Sequence, residues 1–281
     1  MLKLILPLIF LTSYVFASDK IHVVEPASTE KNWTIKKIIE VGERAQKNDY
    51  RLVGIPDGLG AIENQDHLTI FMNHEIANDL GVKRKHGARG AFVSEWTVDL
   101  KTLQVKSGQD LIRQIKTWDR VNKKFTTSNE ESLNRLCSAD LPDQSAFYDH
   151  KTKLGFKGRI FLSGEEDRNG GRAFAHIVSG AEKGTSYELP YLGKFSWENV
   201  VAHPNTKDKT IVIGMDDNKE GQVYLYMGDK ESKGNPVERA GLMYGRLFGI
   251  KTSADRFELT DLDDVSNLSG SELEKKDQIL I

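Results

Sequence analysis

The 281-residue chain has one cysteine, Cys137, which excludes an internal disulfide framework. Charge of one sign is also missing: 39 Lys+Arg stand against 41 Asp+Glu, for a formal net charge of −2. Nucleic-acid binders carry a basic excess on one face, so no nucleic-acid partner is expected. Prolines number only seven, and no Gly-X-Y period or biased tract runs through the chain. That excludes collagen-like and disordered classes. After Ala17 no apolar run approaches the roughly 20 residues a membrane helix needs. GxSxG, Walker, HExxH and CxxC patterns are all missing, so serine-hydrolase, P-loop and zinc-protease readings lack their usual support. What remains is ordinary globular composition, 38% hydrophobic and 28% charged, long enough to bury a core.

The first segment reads as an address. Lys3 precedes an apolar stretch from Leu4 to Phe16, and Val15-Phe16-Ala17 ends it with a cleavage-like pattern. That describes a secretory signal peptide over residues 1–17. The competing reading, a membrane anchor, is cut short by Ser18-Asp19-Lys20. No Arg-Arg pair precedes the run, so export as an unfolded chain is expected. The mature chain, 18–281, is then periplasmic or secreted, where thiols are oxidised and calcium is at hand.

Short runs rich in Ile, Val, Phe, Tyr and Thr, bounded by Gly, Asp or Asn, predict strands. They are His67–Asn73, Ala91–Leu100, Arg159–Ser163, Ala173–Val178, Asn199–His203, Thr210–Gly214, Gln222–Met227 and Leu247–Thr252. Helix is expected at Thr34–Gln46 and, more weakly, at Glu130–Cys137. Arg159–Gly170 is a strand, an acidic pair, a polar turn and a glycine, and Thr210–Gly221 repeats that order. Glu166 aligns with Asp217, 51 residues on, and Gly170 with Gly221. Leu68–Glu75 is a looser third copy. A few strands repeating at about 40–50 residues are the signature of propeller blades. The expected fold is all-β: a β-propeller, whole or incomplete, with long irregular loops.

Equivalent strand ends in a propeller point at one face near the axis. Glu75, Glu165/Glu166 and Asp216/Asp217 would meet there. Carboxylates so close repel and raise one another's pKa. A hard cation such as calcium, which takes 6–8 oxygen ligands, relieves this. The bland alternative is a set of solvated turns, where Asp and Asn are common. Cys137 is either a small buried hydrophobe or a thiolate ligand, which selects iron, copper or zinc over calcium. Glu198, between Trp197 and Asn199, is either metal-bound or paired with a lysine. His74 is a ligand, a supporting donor or a plain turn histidine. The basic loop Lys83–Gly90 either contacts phosphate through Arg84 or Arg89 or is a solvated loop.

Taken in order, Asn73-His74-Glu75, the lone Cys137, Gly164-Glu165-Glu166, Trp197-Glu198-Asn199, Gly214-Met215-Asp216-Asp217 and Gln222–Tyr226 resemble the PhoX-type alkaline phosphatase family. The likeness runs from about Gly54 to Ile250. It implies an exported β-propeller that hydrolyses small phosphate esters with iron and calcium ions in its central channel. It implies Cys137 as the iron-bridging thiolate and Glu198 as an iron ligand. Glu166 and Asp217 would bind or bridge to calcium, with Asn73 and Glu75 adding to that shell. Four features depart from the family: no twin-arginine signal, a longer stretch from Cys137 to Glu166, Ser163 in place of a frequent Cys, and no downstream Glu beside an Arg. The last suggests a member lacking its final blades. The leading expectation is an exported metal-dependent phosphoesterase. The alternatives are a non-catalytic propeller in which calcium alone is structural, or a calcium-dependent lactonase or esterase.

Overall fold

Buried and exposed side chains alternate along Lys209–Asp216 and Val223–Asp229, the period-2 pattern of strands with one face in a core. Such strands make up almost all of the regular structure among the described residues. The computed structural model describes residues 36–219, 221–251 and 279–280. The signal segment and Thr252 lie outside the described residues. Residues 1–38 and 39–281 separate as two units, and the architecture below belongs to the second.

Three antiparallel meanders follow one another. The first comprises β1 (Pro56–Glu63), β2 (His67–His74), β3 (Phe92–Asp99) and β4 (Val105–Asp110). A hairpin of β5 (Gln114–Asp119) and β6 (Lys124–Ser128) comes next. The second meander comprises β7 (Leu136–Asp140), β8 (Ile160–Glu165), β9 (Ala173–Ile177) and β10 (Thr185–Glu188), and β5 extends it by pairing parallel to β10. The third comprises β11 (Trp197–Ala202), β12 (Lys209–Asp216), β13 (Val223–Asp229) and β14 (Arg246–Lys251). Between β13 and β14 lies one short helix, α1 (Pro236–Arg239), closed by a capping box from Asn235 and Glu238. On the far edge β15 (Ile279–Leu280) pairs parallel to β14.

Each meander is a propeller blade, and among the described residues no sheet closes on itself. The first strands of the blades pack side by side, β1 against β7 and β7 against β11. Asp140 of β7 accepts the backbone N–H of Ala202 of β11 at 2.8 Å. Gly58 of β1 lies so close to β7 that a Cβ there would sit 2.3 Å from the backbone nitrogen of Ala139. Phe71, Val93, Phe161 and Phe174 fill the space between the first two blades. Leu162, Trp197, Val212 and Tyr224 belong to the core between the second and third.

All eight expected strands form, with shifted ends. The two expected helices do not. Residues 36–46 are irregular, with turns at 41–42 and 46 and a bridge at Arg44, and the later part of the segment pairs with its neighbours instead: Gly42 donates to the Leu52 carbonyl and Leu52 to that of Glu43. Gly42 has φ 101°, outside any helix. At 130–137, Leu133 bridges to Ala91, while Leu136 and Cys137 open β7. Among the described residues no helix is long and apolar enough to cross a membrane.

Candidate metal centre

One construction is repeated at the same end of all three blades. The residue after the second strand donates its backbone N–H to the carbonyl of the residue before the first strand. Glu75 reaches Ile55 at 2.9 Å, Glu166 reaches Arg135 at 2.9 Å, and Asp217 reaches Ser196 at 2.8 Å. Each first strand then carries one surplus residue against its partner. Pro56–Leu59 lies opposite His74–Met72, Leu136–Ala139 opposite Glu165–Ser163, and Trp197–Asn199 opposite Asp216–Met215. These are β-bulges, which re-aim a side chain and are frequent beside active sites. The second residues of the three strands, Asp57, Cys137 and Glu198, sit in these bulges.

Their side chains converge. The Cys137 thiol donates to Glu198 Oε2 at 3.3 Å and lies 3.9 Å from Asp57 Oδ2. Ligand atoms of Cys137, Glu166 and Glu198 all fall within 4.8 Å of one another. Electrostatics follow from the crowding. Burial, then the Asp57 charge, then Glu198 push the thiol up to about 12. Burial and the neighbouring Glu75 and Glu198 raise Asp57. Glu166 is pushed up to about 7 by burial, against the opposing pull of Arg135, with Glu75 and Asp217 adding to the rise. A thiol and carboxylates held at mutual cost are donors that could hold a cation, and a bound cation would reverse these shifts. The set fits a thiophilic transition metal at Cys137 and a hard cation on the carboxylates.

The remaining expected residues are placed as follows. Glu75 joins the group from the first blade, its Oε1 accepting Arg135 Nε at 2.9 Å and Nη2 at 2.8 Å. Asp217 is exposed, near enough for its charge to act on Glu166. Glu165 points the other way, buried against Arg172 at 2.7 and 2.8 Å and capping Asn134 N–H. Asp216 accepts the N–H groups of Ser196 and Asn218. Asn73 is fully buried; its amide donates to the Cys137 carbonyl at 2.5 Å, and its oxygen accepts Ser163 Oγ at 2.8 Å. Ser163 thus orients Asn73, and Asn73 holds the backbone of Cys137. His74 is buried, bonded to the Val53 carbonyl and Ser94 Oγ and stacked on Phe92. Arg84 lies over the Phe92 ring, 3.6 Å from Asp110, and Arg89 donates to the Asp79 carbonyl. Both arginines are engaged away from the thiol and carboxylate group.

Asp57 and Arg135 escaped the sequence reading. Asp57 follows a proline and precedes Gly58, which reads as a turn. Arg135 lay inside the expected helix. The signal that finds both is position: each flanks or enters the first strand of a blade whose second strand ends in a carboxylate.

No family model matches the chain, and no curated protein matches it. Among solved structures, PhoX of Pseudomonas fluorescens, determined in complex with vanadate as a transition-state analogue, is similar at a TM-score of 0.50 and 12% identity. The match covers 75% of this chain and 50% of that one, so the chain spans half the length of that protein. The likeness concerns the fold, and it agrees with the all-β propeller architecture.

Proposed function

We propose that this chain is an exported, metal-dependent phosphoesterase of the alkaline phosphatase type. The observation that carries the reading is the convergence of Cys137, Glu166 and Glu198 from two blades within 4.8 Å. The fold likeness to a protein solved with vanadate supports it. Cys137 and Glu198 would hold iron. Glu166, Glu75, Asp57 and Asp217 would hold calcium. When bound, such ions neutralise phosphoryl oxygens and act as Lewis acids.

The chain's own residues prepare that state. Glu198 Oε2 accepts the thiol hydrogen of Cys137, which holds the sulfur toward the carboxylate; a metal held by both would release that proton to water. Asn73 fixes the backbone from which the thiol projects. Without a metal, burial pushes the Glu166 carboxyl up to about 7, so a cation held there would draw the carboxylate form and release a proton. The substrate in this reading is a small phosphate ester.

The test is p-nitrophenyl phosphate turnover by the full chain, with and without chelator, together with metal analysis. Bound iron and chelator-sensitive turnover support the reading. Cys137→Ala should remove iron and lower turnover by more than the roughly 10–100-fold typical of losing a supporting partner. Iron and turnover both surviving that change would refute the thiolate role. Calcium without turnover would instead favour a structural, partner-binding propeller, and iron-free cleavage of carboxylic esters a lactonase.

A further inference from the structure

Arg135 stands immediately before β7, at the position that Ile55 and Ser196 occupy in the other two blades. Only here is the residue basic. Its Nη2 is shared by two carboxylates from different blades, Glu75 Oε1 at 2.8 Å and Glu166 Oε2 at 2.6 Å, and its Nε adds a second bond to Glu75 at 2.9 Å. The backbone at Arg135 has φ 40°, a left-handed conformation uncommon for a residue with a side chain. Such strain persists where the surroundings over-determine it, often at functional sites. The two carboxylates are largely covered, at 15% and 13% side-chain exposure, whereas the Arg135 side chain is 44% exposed. It therefore lies on the solvent side of the group.

We propose that Arg135 is the resident counter-ion of Glu75 and Glu166, and that a divalent cation must displace it to use them. The inference rests on the reading that these carboxylates hold a cation. Guanidinium stays charged at any accessible pH, so without a metal it offsets the repulsion that Glu75, Glu166 and Asp57 exert on one another. The oxygens it bonds are those a calcium ion would need, because calcium draws several ligands from few carboxylates. Guanidinium and cation then compete for one set of atoms. Competition of this kind lowers apparent cation affinity and stabilises the empty protein, as linkage requires. Arg135 thereby sets the cation concentration at which the centre fills.

Two variants of the full chain test this. Arg135→Asn removes the charge and suits a left-handed backbone. Arg135→Lys keeps the charge and loses the fork. Calorimetric titration with calcium alone should show roughly tenfold or greater tightening in Arg135→Asn, in the usual range for effects coupled through one site, with a smaller gain in Arg135→Lys. The thermal midpoint of Arg135→Asn should fall without calcium and return to the wild-type value with it. Unchanged or weaker calcium affinity in both variants overturns the proposal, as does a midpoint that calcium fails to restore. Cobalt titration, read by the thiolate-to-metal absorption band, reports the Cys137 centre separately. A band with unchanged calcium affinity sinks the Arg135 proposal and leaves the phosphoesterase reading standing. Tighter calcium binding without a band does the reverse.

Discussion

The thiol of Cys137 donates to Glu198 Oε2 at 3.3 Å, and the two residues hold the same place, second in the first strand, on adjacent blades. Sixty residues of intervening chain bring them together only because β7 and β11 pack flank to flank. Asp57 completes the set from the first blade, and its charge falls directly on the sulfur.

Asp57→Asn should therefore lower the thiol pKa from about 12. In metal-free protein, titration of thiolate absorbance should move to lower pH, and a disulfide reagent should modify Cys137 faster at a fixed mildly alkaline pH. Calcium affinity should fall, because the change removes one of the carboxylates proposed to hold that ion. A thiol titration unmoved by the change would show that Asp57 and Cys137 do not interact.

Asn73→Ala removes the amide that bonds the Cys137 carbonyl and strands Ser163 Oγ in a fully buried site. An unfolding free energy lower by about 1–3 kcal/mol is expected, the cost of leaving buried polar groups unpaired. Ser163→Ala should cost less, because Asn73 keeps its bond to the backbone. Urea denaturation of both variants gives the comparison, and the reverse ranking would contradict the assigned roles.

Gly58→Ala places a methyl group 2.3 Å from the Ala139 backbone nitrogen. The first two blades must separate to admit it, at a cost of about 1–3 kcal/mol by analogy with overpacked cores. Leu59→Ala, at an exposed position of the same strand, should stay within about 0.5 kcal/mol. Equal midpoints for the two variants would show that the close approach of β1 and β7 carries no weight.

Stability should fall on mild acidification. Burial, with some help from His86, holds His176 at about 3, and burial holds His74 at about 4. Both folded values lie below the ordinary 6.5, so the unfolded chain binds the extra protons. Stability is then fully present above pH 6.5 and is lost as pH drops through 6.5 toward the folded values. At pH 5 the loss from His176 alone is about 2 kcal/mol. Chemical unfolding of wild type and His176→Leu at pH 7 and pH 5 measures it. The variant should show a pH dependence smaller by about that amount, and an identical dependence would show that His176 titrates normally.

The acidic strand ends were legible in the sequence because side-chain chemistry and spacing repeat together. Glu166 and Asp217 lie 51 residues apart on strands of like composition, and Glu75 closes the same kind of strand. The first strands of the first two blades were not legible. Pro56–Glu63 opens with proline and holds two glycines, yet a strand edge tolerates the missing N–H, and Gly58 is there because β7 comes too near for a side chain. Leu136–Asp140 is short, and its bulge interrupts alternation at the residue that matters. The Thr34–Gln46 expectation failed for another reason: a helix-like spacing was outweighed by pairing of Gly42 and Glu43 with Leu52. Glu165 and Glu166 show the limit of composition. Neighbours in a strand face opposite ways, so one meets the thiol while the other is tied to Arg172.

The surplus residue in β1, β7 and β11 separates what the backbone does from what the ion requires. Three kinks present three side chains to a shared point whatever those side chains are. Ion preference can thus be rewritten without rebuilding the blades. Aspartate in place of Cys137 would turn a mixed sulfur and oxygen set into an all-oxygen one, suited to hard cations alone, on an unaltered frame.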